Sequence, residues 1–302
     1  MTNNIEKKNF QKEYNKLLLE TLNFTINFLE AKGLRYWAYW GTALGAVREH
    51  GLIPWDDDID IAMPREDYEK LVAYKGDLCS SDFDFITYRD KGFYYAFGKM
   101  INLKTTLVES KHNTFVSGVF IDIYPLDTIK SRDMVKPKWE WYKKSRLNCL
   151  RTTMKHRIKD ILELFVEGDI KGSIRALIFR LFYNNWEKRM KDFMRVEEEL
   201  SDTEGDWLVD FCSATDKSIL AHVYPKDWFS GNLKLLFEGL QINVPSGYDE
   251  FLTQIYGEYM TPPPEDKRVL CHDELRYYIN LKERLSLEEV KRRVANGENY
   301  VF

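Results

Sequence analysis

The stretch of sequence that decides the fold runs from residue 39 to residue 67 and reads YWGTALGAVREHGLIPWDDDIDIAMPRED. Gly41 and Thr42 predict a turn that opens a short helix, and Gly51 ends that helix. The segment Asp58–Met63 (DIDIAM) alternates acidic and apolar residues and therefore predicts a β-strand. Pro64 then begins a predicted helix with acidic residues in its first turn. This alternation of helix and strand predicts a mixed α/β domain.

Two carboxylates flank one isoleucine on the predicted strand. Side chains at positions i and i+2 of a strand leave the same face, so Asp58 and Asp60 project together while Ile59 points into the core. Two like charges a few ångströms apart repel unless a cation or a shared proton lies between them. Hard divalent cations take oxygen ligands, so the pair predicts a site for Mg²⁺ or Mn²⁺. An acidic pair also arises by chance on surface strands, and that interpretation stays open here.

Two further features accompany the acidic pair. The turn at Gly41 and Thr42 offers backbone N–H groups and a hydroxyl to phosphate oxygens. Asp122 lies in the apolar run FIDIY, where a lone carboxylate is costly unless it is paired or binds a metal; capping of a neighbouring loop is the alternative. Turn, pair and later carboxylate together form a nucleotidyltransferase pattern, in which metal ions stabilise the transferring phosphoryl group. Fifteen residues separate Thr42 from Asp58, which is long for this pattern.

The rest of the chain predicts helices around a mixed sheet. Residues 4–32 carry apolar side chains at helical spacing, and Gly33 is the expected C-cap. We expect strands at 35–40, 83–88, 93–101, 105–109, 116–124, 207–211 and 240–244, and helices at 248–256 and 286–296. We predict a nucleotidyltransferase-like α/β fold in three parts. They are a catalytic core (1–128), a basic helical insertion (129–200), and a C-terminal part of the catalytic and acceptor-binding region (201–302).

Composition argues against several classes of protein. The chain has 302 residues, with 44 Lys and Arg against 48 Asp and Glu, and its net charge of −4 argues against a nucleic-acid partner. The 4 cysteines form no CxxC pair, so neither a disulfide framework nor a structural zinc site is expected. The N-terminus is polar, and no apolar stretch reaches the ~18 residues of a membrane span. We therefore expect a cytoplasmic protein.

Positive charge is concentrated in the middle of the chain. Residues 130–195 contain 18 Lys or Arg against 8 Asp or Glu, in a segment whose pattern predicts helices. A solvated helix face is one interpretation of this charge. The other is peripheral contact with anionic lipid on the inner face of the membrane, because basic helices that carry Trp and Phe suit a membrane interface.

The stretch GTALGAVREHGLIPWDDDIDIAMPREDYEKL (41–71) resembles the signature of the LicD-type phosphocholine transferase family, which includes the fukutin-related ribitol-phosphate transferases. The resemblance continues through FGKMINLKTTLVE (97–109) and FIDIYPLD (120–127). It resumes with VYPKDWF (223–229) and FEGLQINVPSGYDEFLTQIYGEYMTPPP (237–264). It implies metal-dependent transfer of phosphocholine from CDP-choline to a sugar hydroxyl, with release of CMP. The implied acceptor is a surface glycan such as teichoic acid, often as a lipid-linked oligosaccharide precursor.

The resemblance also implies roles for individual residues in the motif. Asp58 and Asp60 would be metal ligands, and Asp122 would be the third carboxylate, which also could take the proton of the attacking hydroxyl. Gly41 and Thr42 would hold phosphate.

Two cations and two histidines complete the implied site. Arg48 would pair with the donor's diphosphate through its planar guanidinium, and a salt bridge to an acidic loop residue such as Asp57 is the alternative. Lys99 would neutralise phosphate charge, with a solvent-facing lysine as the alternative. His50 and His272 are each either a base or a polar packing residue, and the sequence does not decide between these roles.

Aromatic residues near the motif suit a choline cargo, because proteins hold quaternary ammonium groups against aromatic faces. We expect Trp55 to contribute to substrate binding, and Tyr256 and Tyr259 to line the acceptor side. Other aromatic residues near the motif fit the core or the pocket: Trp37, Tyr39, Trp40 and Tyr124.

Three other functions remain open on the sequence. Ribitol phosphate or glycerol phosphate could replace phosphocholine as the cargo. A nucleotidylyltransferase, which moves the nucleotide itself onto a small molecule or protein, would use the same three carboxylates and release pyrophosphate instead of CMP. A non-catalytic accessory protein is the third, and the presence of Asp58, Asp60 and Asp122 argues against it.

Overall fold

The computed structural model describes residues 2–90, 92–93, 95–110, 115–153, 161–162, 165–182, 185–268 and 276–298. Cys271 and His272 lie outside these ranges. Within them, Cys79 is exposed, and Cys149 and Cys212 are buried.

A mixed β-sheet forms the centre of the protein. The strands are β1 (Trp37–Ala38), β2 (Asp60–Pro64), β3 (Phe83–Ile86), β4 (Gly98–Asn102), β5 (Thr106–Val108), β6 (Phe120–Ile129), β7 (Trp207–Val209), β8 (Val223–Pro225), β9 (Leu233–Phe237), β10 (Leu240–Val244) and β11 (Tyr278–Asn280). The sheet has the order β1-β2-β6-β4-β3, in which β2 and β6 are parallel and the other neighbours antiparallel. The second half of β6 pairs with β7, and β7 pairs with β8. Strands β7 and β8 therefore extend this sheet, while β9 and β10 form a separate two-stranded sheet and β5 and β11 form another.

Helices surround this sheet. They are α1 (Thr2–Ala31), α2 (Trp40–Leu44), α3 (Arg65–Ala73), α4 (Val135–Thr153), α5 (Ile170–Phe182), α6 (Trp186–Leu200), α7 (Tyr248–Tyr256) and α8 (Leu287–Ala295). Phe24 of α1 stacks on Phe83 of β3, and Tyr68 of α3 meets Phe85 edge-on. Phe83 and Phe85 leave the same face of β3, so α1 and α3 cover one face of the sheet.

The predicted α/β class and mixed sheet are confirmed, and most predicted elements lie close to their expected positions. Strand β2 begins at Asp60, two residues later than expected, because its pairing with β6 begins at Asp60. Asp58 therefore lies in the loop before the strand. The predicted strand at 93–101 begins only at Gly98. Strands β8, β9 and β11 were not predicted, since short paired segments carry little periodicity.

No helix in the described part of the chain combines the length and the apolar character that would be needed to cross a lipid bilayer.

A buried charge cluster joins the helical middle of the chain to the sheet. Arg65, at the start of α3, holds Asp127 of β6 through two hydrogen bonds of 2.8 and 2.9 Å. Glu197 of α6 lies 3.3 Å from the same guanidinium and accepts a hydrogen bond from Tyr88. Burial raises the pKa of Glu197 to about 7, and Arg65 opposes that rise. The ion pairs of Arg65 with Asp127 and Glu197 therefore hold α6 against the sheet.

We expect Asp127→Ala to lower the free energy of unfolding by about 3–5 kcal/mol, because it leaves the buried Arg65 guanidinium without its bidentate partner. Urea denaturation followed by circular dichroism measures this. Glu66→Ala is the matched control, since it removes one partner of the exposed Arg35–Glu66 pair, worth about 0–1 kcal/mol. Equal, small losses for both variants would contradict the prediction.

Candidate active site

The register of three strands brings three charged residues into one row across the sheet. Asp60 of β2 lies opposite Asp122 of β6, and Lys99 of β4 lies opposite Asp122 on its other side. Residues in register share a face, and this face is the one opposite α1 and α3. The order across the sheet is therefore carboxylate, carboxylate, ammonium.

Asp58 joins this row from the preceding loop. Carboxylate oxygens of Asp58, Asp60 and Asp122 all lie within 4.8 Å of one another. Asp60 Oδ1 is buried, and no donor among the described residues hydrogen-bonds to it. Burial, with the charges of Asp58 and Asp122, raises the pKa of Asp60 well above its usual value. An all-oxygen set with an unmatched buried lone pair fits a hard divalent cation.

Lys99 offsets part of this negative charge. Its ammonium lies 2.9 Å from Asp122 Oδ1 and 3.4 Å from Glu109 Oε1, over the ring of Phe120. Although burial opposes a charged lysine, Asp122 and Glu109 raise the pKa of Lys99. Burial raises the pKa of Asp122 to about 7, against the effect of Lys99. The alternative of a solvent-facing Lys99 is thus wrong, and Asp122 forms an ion pair instead of capping a loop.

A pocket of about 660 Å³ opens beside the acidic cluster. It is lined by Trp40, Gly41, Leu44, Arg48, Ile53, Trp55, Asp56, Asp58, Asp60, Tyr124, Ser213, Tyr256, Glu258, Tyr259, Thr261 and Pro263. Five predicted site residues are among them: Gly41, Arg48, Trp55, Asp58 and Asp60. Of the other three, Asp122 and then Lys99 follow Asp60 in the row across the sheet, and Thr42 is buried.

The turn at residues 41–42 is hydrogen-bonded to the first residue of β2. The Thr42 hydroxyl accepts a 2.8 Å hydrogen bond from the backbone N–H of Asp60, and the N–H groups of Thr42 and Ala43 both donate to Tyr39 O. A Cβ at Gly41 would lie 2.4 Å from Asp56 Oδ2, so a larger residue here would have to displace the Asp56 carboxylate. Thr42 therefore fixes where β2 begins, while a role toward phosphate stays a prediction.

Arg48 lines the pocket, and Glu49 balances part of its positive charge. Its guanidinium donates to Glu49 Oε1 and to Tyr259 O, each at 2.7 Å, and lies over the Trp55 ring. Arg48 thus forms a salt bridge with a nearby acidic residue, but with Glu49 and not with Asp57, which pairs with Arg276 at 2.8 Å.

Arg276 anchors the acidic loop from the C-terminal end of the chain. Its guanidinium also donates to Asp57 O and to the Tyr14 hydroxyl of α1, at 3.2 and 3.1 Å. All three side chains are buried. This anchor holds the loop that carries Asp58, and no sequence motif pointed to Arg276.

The aromatic residues near the motif divide between core and pocket. Trp37 and Tyr39 are buried core residues, with the Tyr39 hydroxyl bonded to Asp210 and Tyr224. The pocket wall contains the other predicted aromatic residues: Trp40, Trp55, Tyr124, Tyr256 and Tyr259. Glu109, Ser213 and Glu258 were missed as well, because tertiary contacts alone bring them to this region. His50 is exposed and is not among the residues that line the pocket.

Comparison with known proteins gives the same family as the sequence motifs. Residues 33–159 match the family LicD/FKTN/FKRP, nucleotidyltransferase domain. The lipopolysaccharide cholinephosphotransferase LicD of Haemophilus influenzae is 26% identical over 280 residues, which cover 90% of this chain and 100% of that protein. The ribitol 5-phosphate transferase FKRP of Mus musculus is 29% identical over 118 residues, 39% of this chain and 22% of that protein. An uncharacterised protein of Rickettsia typhi is 28% identical over 148 residues, 41% of this chain and 47% of that protein.

We expect Asp60→Asn to raise the melting temperature of the metal-free protein at about pH 8, because it removes a buried charge that Asp58 and Asp122 repel. A carboxyl whose pKa is raised on folding binds its proton more tightly in the folded state, so its ionisation destabilises the fold as pH rises above the unfolded value of 3.8. The advantage of the variant should therefore shrink at about pH 5.

Thermal melting in EDTA at both pH values measures this difference, at about 2–4 °C for each kcal/mol. Asp133→Asn, at an exposed aspartate away from the cluster, is the control and should not change the melting temperature. An Asp60→Asn protein that melts below the wild type at about pH 8 would mean that the Asp60 carboxylate stabilises the fold.

Proposed function

Because the chain belongs to the LicD family through its nucleotidyltransferase domain at residues 33–159, we propose that it is a metal-dependent phosphocholine transferase. The proposed reaction transfers phosphocholine from CDP-choline to a sugar hydroxyl of a lipid-linked cell-surface glycan, such as a teichoic acid precursor, and releases CMP. The observation that carries the proposal is the pocket in which Asp58 and Asp60 meet Arg48 and an aromatic wall. The name of the Haemophilus influenzae relative supports the cargo.

Asp58, Asp60 and Asp122 would hold Mg²⁺ or Mn²⁺. When bound, the metal would neutralise charge that develops on the transferring phosphoryl group. Lys99 already balances part of the charge of Asp122, while Asp58 and Asp60 line the pocket.

In the proposed step, an oxygen of the acceptor sugar forms a bond to the phosphorus of phosphocholine. The bond from that phosphorus to the bridging oxygen breaks, and CMP leaves with that oxygen. The hydroxyl proton passes to a carboxylate of the cluster, and Asp122 suits this role because its pKa of about 7 lies near neutral pH. Arg48 would bind the diphosphate of the donor, since its side chain is already oriented by Glu49 and Tyr259.

The choline group would lie against the tyrosine side of the pocket. Arg48 and Arg268 both approach the Trp55 ring, at 5.9 and 5.1 Å, so that face is already occupied by positive charge. Tyr256 is 41% exposed and lines the pocket, and it can offer its ring to a quaternary ammonium group. We therefore place the diphosphate near Arg48 and Trp55, and the ammonium near Tyr256.

Ribitol phosphate is the second candidate cargo, because part of the chain is also similar to a ribitol 5-phosphate transferase. An alditol has no cation, so it would need hydrogen-bonding partners in place of an aromatic face. Either cargo would come from a CDP-linked donor. The enzyme would act on the cytoplasmic side of the membrane.

We expect Mg²⁺-dependent release of CMP from CDP-choline in the presence of a crude glycan acceptor, and loss of that release in EDTA. Asp58→Ala and Asp60→Ala should abolish turnover and remain folded, and Asp122→Asn should lose most activity. Mg²⁺ at about 100 times its dissociation constant should stabilise the wild type by about 2.7 kcal/mol, and should not stabilise Asp60→Ala.

CDP-ribitol and CDP-glycerol serve as competing donors in the same assay, and Asp133→Ala serves as the matched carboxylate control. Release of pyrophosphate from nucleoside triphosphates, without CMP release, would overturn the proposal in favour of nucleotidyl transfer. Full activity in EDTA would remove the metal from it.

For the cargo, we expect Tyr256→Leu to raise KM for CDP-choline about 3- to 30-fold, the range that corresponds to one cation–π contact. Tyr256→Trp should keep KM near that of the wild type, because indole also offers a π face. Steady-state CMP release measures both variants. Trp207→Leu, at a partly buried tryptophan on β7 outside the pocket lining, is the control. An unchanged KM in Tyr256→Leu would place the ammonium elsewhere.

A further inference from the structure

Helix α5 turns its large apolar side chains toward solvent. Six of them are between 44% and 68% exposed: Ile170, Ile174, Leu177, Ile178, Leu181 and Phe182. The buried positions of the same helix carry small side chains or none, at Gly172, Ser173 and Ala176. A helix on a globular protein ordinarily buries its apolar stripe. We call the six exposed residues the α5 apolar face.

The α5 apolar face is one continuous stripe. Residues 170, 174, 177, 178 and 181 follow the spacing i, i+4, i+7, i+8 and i+11 of a single helix side. The helix has 13 residues. Its length of about 20 Å is less than the ~30 Å of a bilayer's hydrocarbon core. The stripe can therefore lie on a lipid surface but cannot cross it.

Positive charge borders this stripe. At about 100° per residue, Lys171 and Arg175 fall along one edge of the α5 apolar face and Arg180 along the other. Residues 170–182 contain no acidic side chain. Neither Lys171 nor Arg175 forms an ion pair within the described ranges of the chain. An apolar stripe between basic edges is the pattern of a helix that lies in a lipid headgroup layer.

Charge complementarity decides between the two occupants that could cover the stripe. A second copy of the chain would bring two like charges against Lys171 and Arg175, and no carboxylate of α5 would balance them. An anionic bilayer offers opposite charge at the edges and hydrocarbon to the stripe. We propose that the α5 apolar face docks the protein on an anionic lipid surface. This inference is independent of the proposed reaction, because it concerns a helix outside the pocket lining.

Co-sedimentation of the purified full chain with lipid vesicles tests the proposal. We expect binding to vesicles of phosphatidylcholine mixed with phosphatidylglycerol, and much weaker binding to phosphatidylcholine alone or at high ionic strength. The double variant Ile174→Asn/Leu181→Asn should bind at least about tenfold more weakly, because it removes apolar contact area. Lys171→Gln/Arg175→Gln should lose about 10- to 30-fold at low ionic strength, at about fivefold per cation.

The matched control is Leu233→Asn/Leu236→Asn, which replaces two exposed leucines on β9 and should bind like the wild type. Circular dichroism melting checks that each variant is folded, and the charge variant tests the surface without any apolar change. Wild-type protein that ignores anionic vesicles at low ionic strength would overturn the proposal. So would unchanged binding by both α5 variants, or a wild-type dimer that Ile174→Asn/Leu181→Asn converts to a monomer.

Discussion

Mutual repulsion among three carboxylates is the constraint around which this protein is built. The parallel register of β2 and β6 sets Asp60 directly beside Asp122, and the loop before β2 adds Asp58 within 4.8 Å. Such a cluster is costly in a buried place unless positive charge lies close to it. Lys99 supplies that charge from the neighbouring strand, at 2.9 Å from Asp122. The negative potential that remains on the pocket side is what suits the site to a divalent cation.

The acidic loop keeps its position through contacts from distant parts of the chain. Arg276, near the C-terminus, holds Asp57 and the Tyr14 hydroxyl of α1. The Thr42 hydroxyl fixes the backbone at Asp60, and Arg48 binds the backbone oxygen of Tyr259. The pocket is thus lined mainly by residues from the first and last thirds of the sequence. These contacts preorganise the site, so its charged groups already lie close together before a ligand binds.

The helical middle of the chain has two different surfaces. Glu197 of α6 is buried against Arg65 and Asp127, which ties this region to the sheet through charge. Helix α5 keeps its large apolar residues in solvent and buries only small ones. Burying that stripe against another surface would be favourable by about 25 cal/mol for each Å² of apolar area. The region is thus anchored to the sheet on one side and exposes an uncovered stripe on another.

The sequence by itself determined the α/β class, the position of β2 to within two residues, and the choice of Asp58, Asp60 and Asp122 as one acidic cluster, because local periodicity and a long motif report on neighbours in the chain. It also placed the start of α3 at Pro64, one residue before the observed Arg65, and predicted β10 and α7 with their observed bounds. Only the tertiary structure decided that Lys99 is buried against Asp122 and Glu109. The same holds for the pairing of Asp57 with Arg276 instead of Arg48, and for the exposure of the α5 apolar face to solvent. Each of these depends on residues far apart in sequence, or on which side of a helix meets the rest of the chain. Spacing along a single segment carries no information on either, because charge pairing and burial are decided by distance in space.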